Sequence, residues 1–131
     1  MPGNLTLETL KAAVTRGEID TVLVAAVDMQ GRLMGKRFHA QFFVDGAYEE
    51  THSCNYLLAT DMEMDTISGY KSPSWEKGYG DYTMKPDFST LSVVPWASAP
   101  TAQIIHDVYT RDGRPVEIAP RQLLRRIISL Y

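Results

Sequence analysis

The chain has 131 residues, of which 44% are hydrophobic and 22% charged, and its formal net charge at pH 7 is −3. This length and composition predict one globular domain, and the weak negative charge argues against binding to nucleic acid or to an anionic membrane surface. The longest apolar run has six residues, 22–27, whereas a membrane-spanning helix needs about 20. The single cysteine, Cys54, cannot form a disulfide within the chain, and no signal peptide is evident, so we expect a cytoplasmic location.

The N-terminal segment predicts a short amphipathic helix. Leu7, Leu10 and Val14 would lie on one apolar face of about three turns. Thr6 is a suitable N-cap because its side chain can accept a hydrogen bond from the first turn. Gly17 is a suitable end because glycine adopts positive φ without steric cost.

A β-hairpin is predicted next. Residues 22–27 are β-branched at three positions and too short for a globular helix, which indicates a central strand. Residues 28–31, with the sequence Asp-Met-Gln-Gly, are typical of a turn, and residues 32–39 then predict an antiparallel partner strand. Residues 40–44 fit either a helical turn or the end of a strand.

Residues 61–96 are rich in aromatic, glycine and proline residues and show little periodicity. We interpret them as a long ordered loop that forms the working surface, because long loops in compact domains are usually functional unless they are disordered, and aromatic residues disfavour disorder. Brief apolar segments at 56–59 and 91–94 are candidate strands that lead into and out of this loop.

Within this loop, Asp61, Glu63 and Asp65 alternate, so an extended backbone would place three carboxylates on one side. Such a group would attract a cation or an amine, because each carboxylate disfavours ionisation of the others until a positive charge arrives. The alternative is a solvated acidic edge. Three aromatic residues could form a wall beside the carboxylates, or could anchor the loop to the domain: Tyr70, Trp75 and Tyr79.

The C-terminal third predicts a strand at 101–109, an Asp-Gly turn within 111–114, a returning strand at 116–118 and a helix that opens with Pro120. The apolar positions of that helix are Leu123, Leu124, Ile127, Ile128 and Tyr131. The elements add up to an α+β domain with a mainly antiparallel sheet covered on one face by helix.

The last helix carries two further expectations. Its pattern has no stop signal before residue 131, so we expect residues 1–131 to be the first domain of a longer chain. A small domain cannot bury all of its apolar positions, which predicts self-association or contact with another domain. Arg121, Arg125 and Arg126 are expected to form a solvated face or to pair with a following domain.

Metal-dependent and nucleophilic chemistry are disfavoured. His39, His52 and His106 are scattered, and the close pair of His52 and Cys54 has no second cysteine to complete a zinc site. No nucleophile lies in a Gly-x-Ser-x-Gly turn, and no Gly-x-x-x-x-Gly-Lys phosphate-binding loop is present. We therefore predict no catalytic residue and no metal site within this chain.

Several spaced motifs resemble the N-terminal β-grasp domain of the glutamine synthetase family. The resemblance covers the chain from about residue 18 to residue 131. Its motifs are Asp28-x-x-Gly31, Pro86-Asp87-x-x-Thr90, Pro95-Trp96, Asp107 and Pro120-Arg121-x-x-Leu124. The resemblance implies a β-grasp fold for residues 1–131.

The resemblance also implies a function for the longer protein, namely ATP-dependent ligation of the γ-carboxylate of glutamate to ammonia or an amine. ATP and Mg²⁺ or Mn²⁺ would bind a C-terminal catalytic domain that this chain lacks, so residues 1–131 alone are expected to be inactive and to bind no cofactor. The expected partners are that domain, other subunits of a homo-oligomer, glutamate and an amine, with no nucleic acid and no membrane. The alternative is a stand-alone β-grasp adaptor without catalysis.

In this family, the domain contributes a loop with Asp-Gly-Ser-Ser ahead of a tryptophan to the active site of a neighbouring subunit. Trp75 is similar to that tryptophan, and counting back places Ser68 where the ammonium-binding aspartate would be, with Asp65 as its candidate substitute. The resemblance thus implies an acceptor-amine site that includes Asp65, Ser68, Trp75 and Tyr79. Loss of the aspartate favours an amine larger than ammonia.

Overall fold

The computed structural model describes residues 3–70 and 80–131. The helices in this part are α1 (Leu7–Thr15), α2 (Ala40–Phe42), which a wider turn over Phe43–Ala47 continues, and α3 (Pro120–Ile128), and a 3-10 helix spans Asn55–Leu58. The strands are β1 (Thr21–Val27), β2 (Leu33–His39), β3 (Thr51–Cys54), β4 (Asp81–Val93) and β5 (Thr101–Tyr109). None of the described helices combines the length and apolar character needed to cross a membrane.

The five strands form one sheet in the order β2-β1-β5-β4-β3. β1 runs parallel to β5, and every other neighbouring pair is antiparallel. The sheet curls so far that its two edge strands approach each other. Lys36 Nζ on β2 donates to the His52 carbonyl oxygen on β3 at 2.6 Å. The prediction of an α+β domain with a mainly antiparallel sheet is confirmed.

The predicted N-terminal helix is confirmed at both ends. The backbone N–H of Thr9 donates to the Thr6 hydroxyl, and the Thr6 N–H donates to the Thr9 hydroxyl, which forms a reciprocal cap. Gly17 follows the helix with φ of +72°. Leu10 is fully buried, so α1 covers the core face of the sheet.

The predicted hairpin is confirmed as well. β1 pairs with β2 along its full length, and Gly31 closes the turn by donating to the Asp28 carbonyl oxygen at 3.1 Å with φ of +81°. Residues 40–44, for which two conformations were open, are helical. Ala40, Phe43 and Val44 are buried at helical spacing, so α2 and its extension also pack on the core face.

Much of the predicted long loop is in fact strand β4. Proline and aspartate are uncommon within strands, so Pro86 and Asp87 hid the strand character of this segment in the sequence. Pro86 lies beyond the last β3–β4 pair, where β4 has only β5 beside it, so its missing N–H breaks no pairing to β3. Tyr82 is buried in the core rather than exposed on a working surface. The candidate strand at 91–94 forms the end of β4.

The Pro-Asp-x-x-Thr motif shapes a bulge in β4. The register to β5 shifts between Asp87 and Ser92, so the residues between them have no regular partners on β5. The Thr90 hydroxyl bridges this gap between the strands, because it donates to the Asp87 carbonyl oxygen on β4 at 2.7 Å and accepts from the Ile105 N–H on β5 at 2.8 Å. In this chain the motif therefore has a structural role.

Two other strand predictions are wrong. Residues 56–59 lie mostly in the 3-10 helix, and the edge strand β3 precedes them with a Thr-His-Ser-Cys sequence that has no apolar alternation. Residues 116–118 form no strand: Pro115 makes an isolated bridge to Tyr109, and the chain then turns into α3. The Asp-Gly turn itself is confirmed, with Gly113 donating to the Thr110 carbonyl oxygen at 3.0 Å.

Helix α3 attaches to the sheet by its polar side, and none of its residues is buried. Arg121 Nη2 lies 2.7 Å from Asp87 Oδ2, and Arg125 Nη1 lies 3.0 Å from Asp107 Oδ2. By strand alternation both aspartates point away from the apolar core. The prediction of a solvated arginine face is wrong for Arg121, whose side chain is 22% exposed, whereas Arg125 remains 54% exposed although it pairs with Asp107. Leu124, at 59% exposure, and its apolar neighbours face outward.

The pKa of Asp87 reflects this ion-pair cluster. Burial alone would raise the pKa, but hydrogen bonds from Ser89 and Arg121 outweigh burial and hold it below its ordinary value. The pairing therefore stabilises the fold above the ordinary carboxyl pKa, and that contribution is lost as the pH falls below it.

We expect Arg121→Met to lower the free energy of unfolding by about 2 kcal/mol, because it leaves two partly buried carboxylates facing each other beside one remaining arginine. Urea denaturation followed by circular dichroism measures the change. Arg126→Met is the matched control, since Arg126 lies on the same helix without a side-chain hydrogen bond or ion pair to the described residues. An equal loss in both variants would show that the ion-pair cluster does not attach α3.

His106 is a titratable group on the core face of β5, with 1% of its surface exposed. Neither ring nitrogen has a hydrogen-bond partner of normal geometry among the described residues. Burial lowers the pKa of His106 to about 4, and only a contact with the Ile104 backbone opposes this shift. The imidazole is therefore neutral at pH 7.

Because the unfolded chain binds this proton near pH 6.5 and the folded chain near pH 4, stability should fall as the pH drops through that range. From pH 7 to pH 5 we expect the wild-type chain to lose about 2 kcal/mol more than His106→Leu. Urea denaturation at both pH values checks this, with the exposed His39→Leu as control. A wild-type slope retained in His106→Leu would contradict the assignment.

Candidate functional site in the loop of residues 59 to 70

Residues 59–70, called the 59–70 loop below, form a closed hairpin. Thr60 makes an antiparallel bridge to Thr66, and the Ile67 N–H donates to the Ala59 carbonyl oxygen at 2.8 Å. The tip is tight enough that Met64 adopts φ of +72°, which is uncommon for a residue other than glycine. The loop therefore has a defined shape of its own.

The carboxylates of this loop do not line one side of an extended segment, so that prediction is wrong. Asp61 Oδ1 turns inward and accepts the backbone N–H groups of Glu63 at 2.9 Å and Asp65 at 3.0 Å. This Asx-type turn uses Asp61 to shape the tip. The side chains of Glu63 and Asp65 remain exposed, as the alternative of a solvated acidic edge requires.

Arg32 holds the loop against the β1–β2 turn. Its Nη1 donates to the Met62 carbonyl oxygen at 2.7 Å, and its Nη2 donates to the Asp61 carbonyl oxygen at 2.9 Å. Gln30, from the same turn, donates to the Thr60 carbonyl oxygen at 3.1 Å. Three consecutive carbonyl groups of the loop are therefore bound by one turn of the sheet.

Asp28 keeps Arg32 in this position. Its side chain is fully buried, and its Oδ2 accepts from Arg32 Nε at 2.8 Å. Its Oδ1 accepts the backbone N–H groups of Gln30 and Arg32 at 3.0 and 2.8 Å. Each bond to the ionised carboxylate is stronger than a neutral hydrogen bond. We call Asp28 and Arg32, with these contacts, the Asp28–Arg32 clamp.

The clamp was not predicted from the sequence, although its signal was present. Asp28 and Gly31 indicated only a turn. An aspartate that starts a hairpin turn, followed four residues later by arginine, allows the carboxylate to cap the turn and bind the guanidinium. The carbonyl partners at residues 60–62 are about thirty positions away in the chain, and local reasoning could not find them.

The predicted acceptor-site residues fall into two groups. Asp65 and Ser68 both lie exposed on the 59–70 loop, beside Gly69 with φ of +96° and the half-exposed Tyr70. Trp75 and Tyr79 lie outside the described residues. The structure thus places the first two on one clamped segment, and the four-residue site stays a prediction.

The described residues offer no metal-binding group. Across 3–70 and 80–131, no cluster of three His, Cys, Asp or Glu side chains has suitable geometry. His52 lies 3.4 Å from Glu50 on the exposed edge, and Cys54 is a free, half-buried thiol. The described residues therefore provide no candidate site for a divalent cation.

The fold and loop together define a mixed-sheet, β-grasp-like domain. Among solved structures, "GmaS/ADP complex-Conformation 1" superposes with a TM-score of 0.65 at 22% identity, over 92% of this chain and 24% of that chain. "Apo GmaS without ligand" gives the same TM-score over 92% of this chain and 25% of that chain. These matches establish the fold.

Sequence comparison adds the family. The chain is 52% identical over 123 residues to γ-glutamylethanolamide synthetase GlnA4 of Streptomyces coelicolor, covering 93% of this chain and 26% of the relative. It is 35% identical over 117 residues to glutamate–isopropylamine ligase of a Pseudomonas species, covering 88% of this chain and 25% of the relative. Glutamine synthetase of Methanococcus voltae is 47% identical over 53 residues, covering 39% of this chain and 12% of the relative. No family model matches.

These relationships place the chain in the glutamine synthetase family, and the resemblance drawn from its motifs is confirmed. The chain spans about a quarter of the length of the two relatives that match nearly all of it.

We expect Asp28→Asn to lower the free energy of unfolding by about 3 kcal/mol, because the amide cannot accept all three hydrogen bonds or neutralise Arg32. Amide hydrogen exchange should accelerate at residues 61–67 before it does so in β5. Glu18→Gln is the control, because the Arg16–Glu18 pair is 57% exposed on both sides. Unchanged exchange in the loop would show that the clamp does not order it.

Proposed function

We propose that this chain is the N-terminal domain of an ATP-dependent ligase that joins the γ-carboxylate of glutamate to an amine larger than ammonia. The observation that carries the proposal is 52% identity to a protein named γ-glutamylethanolamide synthetase. The relative named glutamate–isopropylamine ligase supports it independently. Both names specify an alkylamine, one hydroxylated and one branched.

The proposed role of this domain is to present the 59–70 loop to the acceptor site of a neighbouring subunit. The Asp28–Arg32 clamp supports that role, since a loop that orients a nucleophile must be held in a fixed position. Asp65 and Ser68, with Trp75 and Tyr79, are the proposed contacts for the amine. ATP, Mg²⁺ or Mn²⁺ and glutamate are assigned to the remaining part of the longer protein.

The chemistry of Ser68 favours a larger amine. A bare ammonium ion is stabilised by a full opposite charge at short range. A primary amine with an alkyl or hydroxylated tail gains instead from apolar contact and from hydroxyl partners. Ser68 offers a hydroxyl at the place where the family carries a carboxylate, and it is exposed on the loop.

The outward apolar side of α3 supports a place within a larger assembly. Leu124 and Ile128 are 59% and 64% exposed, while Arg121 and Arg125 attach α3 to the sheet through ion pairs. We assign this surface to contact with the catalytic part of the longer chain within a homo-oligomer. The proposed compartment is the cytoplasm, where a free thiol such as that of Cys54 persists.

The adaptor alternative receives less support. The two relatives that cover most of this chain are named as a synthetase and a ligase. No described feature favours a stand-alone binding module over a ligase domain.

Phosphate release tests the proposal in the longer protein, with glutamate, ATP, Mg²⁺ and a panel of ammonia, ethanolamine, isopropylamine and putrescine. We expect ethanolamine or isopropylamine to exceed ammonia in kcat/KM, and residues 1–131 alone to release no phosphate. Ser68→Asp should shift the ratio toward ammonia by about tenfold, because it restores a carboxylate beside the attacking nitrogen. Ser98→Asp, at another exposed serine, should leave the ratio unchanged.

Two results would count against the proposal in different ways. A wild-type preference for ammonia would show that Ser68 does not determine the acceptor, while ligase activity would stand. Absence of phosphate release with every amine would refute the ligase assignment itself.

A further inference from the structure

A cavity of about 470 Å³ lies between the two edges of the curled sheet. Residues of β2 line one side, and β3 and β4 line the other. The 3-10 helix and the 59–70 loop complete the wall. We call this space the inter-edge cavity. Its volume lies within the range of small-molecule sites, and its apolar wall includes Met34, Leu57, Met64 and Met84. Methionine side chains adapt to irregular ligands and make favourable contacts with aromatic rings.

The charge of the cavity wall is positive. Its lining contains Arg32 and Lys36 but no carboxylate. Buried Asp28 neutralises Arg32. Lys36 Nζ donates to the backbone carbonyl oxygen of His52, which carries no charge, and forms no ion pair with the described residues. The Lys36 ammonium group therefore retains a positive charge, and two further N–H donors, at the edge of an apolar space.

A buried hydroxyl in the same wall lacks a partner. Thr60 is 5% exposed, and its Oγ1 makes no hydrogen bond with the described residues. An unpaired buried hydroxyl costs free energy, and a bound ligand or water would recover it. Thr51 and Ser53 on β3 bring two more hydroxyl groups to the lining.

We propose that the inter-edge cavity binds a small amphipathic carboxylate, a monoanion with an apolar chain or ring of about ten to fifteen non-hydrogen atoms in total. Its apolar body contacts the methionine side chains, its carboxylate accepts from Lys36, and a wall hydroxyl donates to it. Glutamate fits poorly, because its second carboxylate and its ammonium group would meet apolar side chains. This site is therefore separate from the proposed substrate sites, and its test does not depend on catalysis.

The test uses the 131-residue chain labelled with ¹³C at the methionine methyl groups. The probes are three compounds of one shape that differ in charge: 4-phenylbutanoate, 4-phenylbutanamide and 4-phenylbutylamine. Methyl signals of Met34, Met64 and Met84 should move on titration with the carboxylate. Met29 and Met62, which do not line the cavity, provide internal controls. We expect 4-phenylbutanoate to bind at least about tenfold more tightly than the amine, with the amide between them.

Lys36→Gln should remove the difference between carboxylate and amide while retaining a donor toward His52. Lys11→Gln, at a lysine on α1 outside the cavity, should preserve the difference. The proposal is overturned if the three cavity methyl groups do not move, if all methionines move together, or if the amine binds as tightly as the carboxylate. An equal loss in both lysine variants would also overturn it. The comparison of three charges in the wild-type chain decides the matter even if Lys36→Gln fails to fold.

Discussion

The buried Asp28 carboxylate is the constraint on which the candidate site depends. It is fully buried, and the three hydrogen bonds that it accepts all come from the hairpin that contains it. Burying a charge is unfavourable unless it is paired and hydrogen-bonded, so Arg32 cannot leave without a large cost. A fixed Arg32 in turn fixes the carbonyl groups at the base of the 59–70 loop. The position of an exposed loop is thereby tied to the β1–β2 turn of the sheet.

Helix α3 reverses the usual arrangement of an amphipathic helix. Its arginines bind Asp87 and Asp107 on the sheet, and its leucine and isoleucine side chains face outward. Water weakens exposed ion pairs, yet these aspartates are only 19% and 10% exposed, so the attraction is screened less. The helix can therefore be held in place without using its apolar side, which leaves that side available for a second surface.

The sequence predicted elements wherever one local signal dominated. α1 followed from its cap and spacing, the β1–β2 hairpin from its apolar run and turn, and α3 from its opening proline and helical spacing. Strand β4 was missed because proline and aspartate, here Pro86 and Asp87, are uncommon in strands. They are tolerated here because the pairing to β3 ends before Pro86 and because Asp87 pairs with Arg121 of α3. Of the candidate site, the sequence located Asp65 and Ser68 in a loop. The clamp joins residues about thirty positions apart, which no local pattern encodes.

The 59–70 loop connects the two proposed binding events. Thr60 and Met64 line the inter-edge cavity, and Asp65 and Ser68 lie on the next few residues of the same clamped hairpin. A ligand that satisfies the Thr60 hydroxyl would favour the loop conformation in which that hydroxyl faces the cavity. If the acceptor amine binds the same conformation, each ligand must strengthen the binding of the other by the same factor, because coupling free energies are reciprocal. If the amine requires a different conformation, the carboxylate must weaken its binding. The clamp limits the size of either effect, since a loop with three bound carbonyl groups has few alternative positions.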